Sequence, residues 1–172
     1  MKEIYIRKAE LSDAEEIASV HIQAWKESYA GIVVDDYLQN IDYQSKLLHR
    51  KQIIAGNQGE NINLVAVCGN SIVGFCDAGP GNKLDAPGEV FAIYLLQNFK
   101  RIGVGDKLFN SAKKHLVKNK LVPFLAWVLS ENLEARKFYE KEGGEEFRKK
   151  MVEIGGKLHE EVSYIFLNPI KN

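Results

Sequence analysis

The chain has 172 residues, 23 Lys and Arg against 23 Asp and Glu, and an apolar fraction of 45%. A chain of this size hides roughly 70% of its extended surface, enough for one core and a functional cleft, so residues 1–172 read as a single domain. Balanced charge leaves no basic field for nucleic acid or anionic lipid, no apolar stretch nears the ~20 residues of a membrane helix, and no secretion signal opens the chain, so a soluble, cytoplasmic protein is expected.

Residues Glu3 to Arg7 alternate as a strand, and Ser12 to Glu15 have the spacing of a capping box that opens a helix. Ile17, Val20, His21, Ala24 and Ser28 follow at helical intervals, which ends this helix near Gly31 and makes His21 a core histidine with a satisfied nitrogen. From Val34 to about Ala55 the pattern stays helical, as one or two short helices with Tyr37, Leu38, Ile41, Leu47, Leu48 and Ile53 in the apolar pattern, up to a Gly-bearing break at 56–59. Gly69-Asn70 is a two-residue hairpin turn between apolar runs at 61–68 and 71–78. This register pairs Cys68 with Ser71 and sets Cys76 opposite Asn63, about 16 Å from Cys68, so both cysteines are expected as buried free thiols in a reducing compartment. Residues 79–88 are rich in Gly and Pro and read as an irregular, mobile lid or specificity loop.

Glu89 to Leu95 alternates as a strand, with Glu89, Phe91, Ile93 and Leu95 on one face and Val90, Ala92 and Tyr94 on the other. A turn bearing Gly103 and Gly105 leads into a helix to about Asn119, its inner face marked by Val104, Leu108, Ala112 and Leu116. Phe124 to Leu129 is a buried strand, Asn132 caps the next helix, and Gly143-Gly144 ends it. Residues 145–152 and 157–167 form a closing hairpin about Gly155-Gly156. The whole is mixed α/β (α+β), a mainly antiparallel sheet of about seven strands flanked by about four helices. His21, His49, His115 and His159 are scattered without ligand spacing, so no metal is expected.

A strand running through a Gly-bearing turn into a helix presents unpaired N–H groups and the positive end of the helix dipole, a seat for phosphate. Here that turn is Lys100 to Gly105; its two glycines remove Cβ atoms that would hold an anion away, and Lys100 and Arg101 add charge. It lacks the third glycine of a dinucleotide fingerprint, and no P-loop pattern occurs in the chain. Asn132 and Tyr139 lie seven positions apart, within ~20° of one helix face, with the small Ala135 between them. That face is a groove with polar groups at both ends.

The stretch from Gly88 through Lys100, Gly103 and Gly105 resembles the acetyl-CoA motif of the GNAT superfamily of N-acetyltransferases. Asn132, Ala135, Phe138, Tyr139 and Gly143 resemble the superfamily's downstream segment. The two motifs stand in the right order, and the resemblance covers essentially the whole chain. It implies transfer of an acetyl group from acetyl-CoA, used as co-substrate without metal, to a primary amine by direct attack in a ternary complex. Main-chain groups of Ile93, Tyr94 and Leu95 would hold the pantetheine arm, with the Leu95 N–H toward the thioester oxygen. Lys100, Arg101, Ile102, Gly103, Val104 and Gly105 would bind the pyrophosphate, and Asn132 an amide of the arm. Tyr139 would protonate the departing sulfur, and Glu89 would drain the proton of the amine.

Three positions depart from the family pattern. Lys100 stands where Gln or Arg is usual, and Gly144 replaces a common aromatic, which would cost packing behind the last helix. Trp127 stands where members that acetylate ribosomal-protein tails often carry a carboxylate. The segment from His21 to Gly31 resembles the first helix of a bacterial branch, in which Trp25, Tyr29 and Tyr37 would line the amine site, with Asp35 or Asp36 drawing its charge, or would only pack the cap. The alternatives to an enzyme are an acyl-CoA-binding sensor or non-catalytic subunit, and a nucleotide-binding regulator; a longer acyl-CoA is the near variant. The tail hairpin would let a second copy pair, giving a homodimer.

Overall fold

A computed structural model describes residues 3–56 and 59–167; Asn57 and Gln58, inside the expected break at 56–59, lie outside the described residues. The chain runs β1 (Ile4–Lys8), α1 (Ala14–Tyr29), α2 (Asp35–Gln39), α3 (Tyr43–Ala55), β2 (Ile62–Cys68), β3 (Ser71–Pro80), β4 (Gly88–Leu95), α4 (Val104–Lys118), β5 (Phe124–Leu129), α5 (Leu133–Lys141), β6 (Glu145–Ile154) and β7 (Lys157–Phe166). Among the described residues these make one seven-stranded sheet, ordered β1-β2-β3-β4-β5-β7-β6, with five α-helices against it. Every pairing is antiparallel except β4 with β5. No helix among the described residues is long and apolar enough to cross a membrane.

One face of the sheet packs on α4 and the other on α1. Val104, Leu108, Phe109, Ala112 and Leu116 of α4 are buried against β-strand residues such as Ala66, Cys76, Val90 and Phe124. On the opposite face Ile17 and Val20 of α1 meet Val65, Val67, Ile72 and Phe75. The Glu16 carboxylate accepts from the Ile72 N–H at 2.8 Å, and Glu27 accepts from the Gln97 N–H at 2.8 Å, so polar groups as well as apolar ones fix α1 to the sheet.

Local chemistry corrects several expected details. Helix entry is a 3₁₀ turn at Leu11–Asp13, with the Asp13 carboxylate, not Ser12, accepting the Glu10 N–H at 2.8 Å while gripping Arg7. Leu48 is exposed, and the buried residue of α3 is Arg50, whose guanidinium bonds both oxygens of buried Asp77 and lies over the Phe75 ring. An ion pair so desolvated is costly to break from one side, about 3–5 kcal/mol, and it pins α3 to the sheet. In the β2–β3 hairpin Cys68 does pair with Ser71, but a bulge at Val73 moves Cys76 from Asn63 to Leu64. Both cysteines are free; Cys76 is buried, Cys68 only partly.

Residues 79–88 are more regular than their composition suggests. β3 runs on to Pro80, which pairs with Gly88, and the turn between closes by bonds from Gly81 N–H to Pro87 and from Asp85 N–H to Asn82. Asp85 also pairs with Arg148 of β6. Gly144 follows Gly143, whose φ of 91° ends α5. A Cβ on Gly144 would meet Phe166 Cζ at 2.7 Å, so the ring of Phe166 fills the space behind the helix and the expected packing loss does not arise.

Among the described residues His21 is held by rings rather than by a hydrogen-bonded nitrogen: it stacks on Tyr94 at 5.2 Å and meets Phe75 and Trp25 edge-on. Burial, aided by the charges of Lys46 and Arg50, pushes its pKa down to about 3. The unfolded chain therefore binds a proton between pH 6.5 and 3 that the folded chain refuses, so this residue's share of stability is full above pH 6.5 and falls on acidification. His21→Phe is expected to lose about 2 kcal/mol less than the parent between pH 7 and pH 5 in urea unfolding. Equal losses would remove His21 from the acid response.

Candidate active site

β4 and β5 are paired only over Gly88–Val90 and Phe124–Ala126. Beyond Val90 a bulge at Phe91 breaks the strand's alternation: Asp77 pairs with Ala92 while Ala78 pairs with Val90. The expected faces are corrected accordingly. Val90, Ile93 and Leu95 pack on the α4 side and Ala92 and Tyr94 on the α1 side. Glu89 shares the face of its partner Leu125, one residue out of step with Val90, and so also looks toward α1.

The parted strands open a cavity of about 690 Å³. Its walls come from Ser28 and Tyr29 of α1, Phe91–Leu95 of β4, Trp127 and Val128 of β5, the turn after β4, and α5. The Leu96 N–H bonds Val73 of β3 at 3.0 Å, so the N–H groups of Leu95 and Ile93, on the other edge of the strand, are directed toward the gap.

At the end of β4 the chain turns through Arg101, with φ 61°, and Gly103, with φ 85°, into α4. The N–H groups of residues 101–106 meet no main-chain acceptor among the described residues. Consecutive N–H groups in such a turn form an anion-binding concavity, reinforced here by the helix dipole. A Cβ on Gly103 would meet nothing within 4 Å, so the space in front of it is open.

The expected residues divide by what they bring to this cavity. Ile93, Tyr94, Leu95, Lys100, Arg101, Gly103, Gly105, Asn132 and Tyr139 all line it. Ile102 and Val104 do not line it: the Ile102 side chain is 57% exposed and that of Val104 is in the core, so only their N–H groups, in the turn, are left for the expected role. Lys100 is not a free cation: its ammonium bonds Glu134 at 2.9 Å and Ser28 at 3.3 Å, tying the turn to α5 and α1. Arg101 is exposed and also reaches Glu134, at 3.4 Å. The Glu134 carboxyl is held below its usual range by Lys100. Asn132 caps α5 through Oδ1, which accepts from Ala135 N–H at 3.1 Å and leaves its amide N–H₂ for other partners.

Tyr139 is buried, its ring among Phe109, Phe138 and Tyr164, and its hydroxyl has no protein partner among the described residues. Burial, with Tyr94 and Cys76 nearby, pushes the phenol up, so it stays protonated. Tyr29 and Tyr94 stand hydroxyl to hydroxyl at 3.3 Å, each also raised by burial. Cys76 lies closer to the site than the hairpin suggested, opposite Ile93, but it is buried and its thiol is raised by burial.

Glu89 does not line this cavity. It faces a second one, of about 240 Å³, on the α1 side, with Trp25, Tyr29, Phe91, Tyr94 and Trp127 as wall and Lys150 and Glu161 as charged members. The two cavities share Tyr29, Phe91, Tyr94, Trp127 and Val128. The Glu89 carboxyl is raised by burial, a rise that Lys150 opposes. The indole N–H of Trp25 is buried without an acceptor among the described residues. Asp35 and Asp36 line neither cavity, and Tyr37 packs against Gly155. Sequence reasoning missed Glu161 and Lys150, which only the pairing of β5, β7 and β6 brings beside Glu89. Among the described residues no three His, Cys, Asp or Glu side chains are grouped to hold a metal.

Residues 21–144 match the family model described as the Acetyltransferase (GNAT) family. The chain belongs to this family. It is therefore an acyltransferase enzyme. It is 28% identical over 136 residues to the uncharacterized N-acetyltransferase YuaI of Bacillus subtilis, covering 75% of this chain and 73% of that one. It is 25% identical over 144 residues to spermidine N(1)-acetyltransferase of Thermoplasma acidophilum, covering 81% and 87%. The fold matches the crystal structure of PaiA N-acetyltransferase from Thermoplasma acidophilum in complex with coenzyme A, with TM-score 0.71 and 21% identity over 95% of this chain and 99% of that one.

Gly103→Val would place a branched side chain in the open front of the turn and strain a left-handed residue. Its affinity for coenzyme A by calorimetry is expected to fall about tenfold or more, the effect of 1–3 kcal/mol of strain and intrusion. Unchanged affinity would place the phosphates elsewhere.

Proposed function

We propose that the chain acts as one domain that transfers an acetyl group from acetyl-CoA to a primary amine, in a ternary complex and without a covalent acyl-enzyme. The observation that carries this reading is the gap between β4 and β5. Among the described residues it joins a cradle of N–H groups without main-chain acceptors on one side to an aromatic pocket with carboxylates on the other, with a phenol that has no protein partner beside it.

The residues present fit the coenzyme. N–H groups of residues 101–105 would hold the pyrophosphate, with Lys100 acting as a brace that keeps the turn in place. Groups of Ile93, Tyr94 and Leu95 along the free edge of β4, with the Asn132 amide, would hold the pantetheine arm. Bound there, the coenzyme supplies the activated acyl group as a thioester. The Leu95 N–H then faces the position where negative charge develops on the carbonyl oxygen, the arrangement that lowers an acyl-transfer barrier most. Glu89 takes the proton of the incoming ammonium, directly or through water, and Tyr139 gives one to the departing sulfur. A cysteine relay has no support, since neither cavity is lined by a cysteine and Cys76 is held as a thiol.

Spermidine is the acceptor in the name of one relative, which supports an amine acceptor at the level of class. A cytoplasmic setting is supported by the two free thiols. The place for a homodimer contact is the outer edge of β6, which has no strand beyond it; Arg148, Lys149 and Lys150 there make that edge more charged than the expected apolar hairpin.

Two variants test the assignment. Tyr139→Phe is expected to lower kcat by about 10² or more while the dissociation constant of acetyl-CoA changes little, by steady-state assay and calorimetry. Equal loss of both would make Tyr139 a packing residue. Because Glu89 is raised and works deprotonated, kcat/KM should fall with acid through a midpoint above the ordinary carboxylate value of about 4.3. Glu89→Gln should lower activity and erase that limb; if the limb persists, another group is the base.

A further inference from the structure

The pocket beside Glu89 already contains an amine. Pairing sets Leu129 of β5 opposite Glu161 of β7, and Glu161 opposite Lys150 of β6. Trp127, Leu129, Glu161, Lys150 and Glu89 therefore share the sheet face that looks toward α1. The Lys150 ammonium lies 4.1 Å from the center of the Trp127 ring and 3.4 Å from a Glu161 oxygen, and it lines the pocket with Glu89. An aromatic face, a carboxylate partner and a nearby carboxylate base are what an incoming alkylammonium requires. Trp127, Phe91 and Tyr94 continue from this seat into the larger cavity.

We propose that Lys150 is a site of self-acetylation, its side chain entering the gap between β4 and β5 as an acceptor in cis. This inference rests on the transferase reading above. Lys150 is 48% exposed and its ion pair is correspondingly weak, so the side chain is free to leave Glu161. The ammonium gives one proton to Glu89, and its lone pair then attacks the thioester carbon. The N–C bond forms and the C–S bond breaks. A second proton leaves the nitrogen to solvent as Tyr139 protonates the thiolate and regains its own proton from solvent. The products are an N-acetyl-lysine, free coenzyme A and one net proton. The modification removes the positive charge facing Glu161 and leaves a neutral amide in the acceptor pocket.

Lys149 is an internal control. It is the adjacent residue, is more exposed at 59%, and sits on the opposite face of β6, paired with Glu160. Surface reactivity alone would modify it at least as fast as Lys150.

The test incubates the full chain with acetyl-CoA and follows intact mass, then maps modified peptides. The expected result is acetyl at Lys150 in excess of Lys149 by about tenfold or more, a first-order rate independent of protein concentration, and slowing by about tenfold or more in Tyr139→Phe at Lys150 but not at Lys149. Equal labelling of both lysines, or a rate proportional to protein concentration, overturns the proposal. So does an unmodified Lys150 in protein that releases thiol with added n-butylamine, a result that leaves the transferase reading intact. Failure to bind acetyl-CoA in calorimetry overturns that reading and this inference with it.

Discussion

A β-sheet satisfies its main chain by pairing, and the structure turns on the place where this pairing stops. After three pairs, β4 and β5 part, and the edge of β4 that should bond β5 is left facing a cavity. Unpaired N–H groups in such a setting cost free energy unless something else bonds them. The same economy governs residues 101–106, whose N–H groups lie at the start of α4 without main-chain acceptors among the described residues. The free edge of β4 and the turn follow one another in the chain, so the two unsatisfied sets form one continuous track.

The neighbouring elements hold this open arrangement in place. Glu27 of α1 bonds Gln97, Lys100 bonds Glu134 and Ser28, and Lys141 bonds Asp106 at 2.8 and 2.9 Å, so the turn and the start of α4 are tied to both α1 and α5. On the other face, Arg50 and Asp77 join α3 to β3 at the level of the bulge that begins the parting. A gap held by such ties is preorganised, and its polar groups need little rearrangement when a ligand arrives.

Much of this was legible in the sequence because it depends on local rules. Phe124 to Leu129, the stripe on α4, the Asn132 cap and the Gly143-Gly144 stop follow from periodicity and cap chemistry, and the Gly103 turn follows from its composition. What escaped depends on contacts between distant segments. Two bulges, at Val73 beside Gly74 and at Phe91, shift register, and only the first has a glycine next to it, which an isolated strand glycine does not turn into a defined register, so Cys76 and the faces of β4 were misplaced. Nothing in the apolar spacing of 34–55 marks Arg50 as buried; its partner Asp77, 2.8 Å away, lies 27 positions along the chain. Lys150 and Glu161 join Glu89 only through the order β4-β5-β7-β6, and no spacing in the chain encodes that order. Lys100 did carry its expected charge, but Glu134, 34 positions away, takes it up.

The central claim is that one ligand satisfies both open sets of N–H groups. Amide NMR on labelled protein titrated with coenzyme A tests it most directly. The account predicts that the resonances of Ile93, Leu95 and residues 101–106 move together and saturate at one equivalent. Shifts confined to other surfaces, with these amides unmoved at saturation, would contradict it.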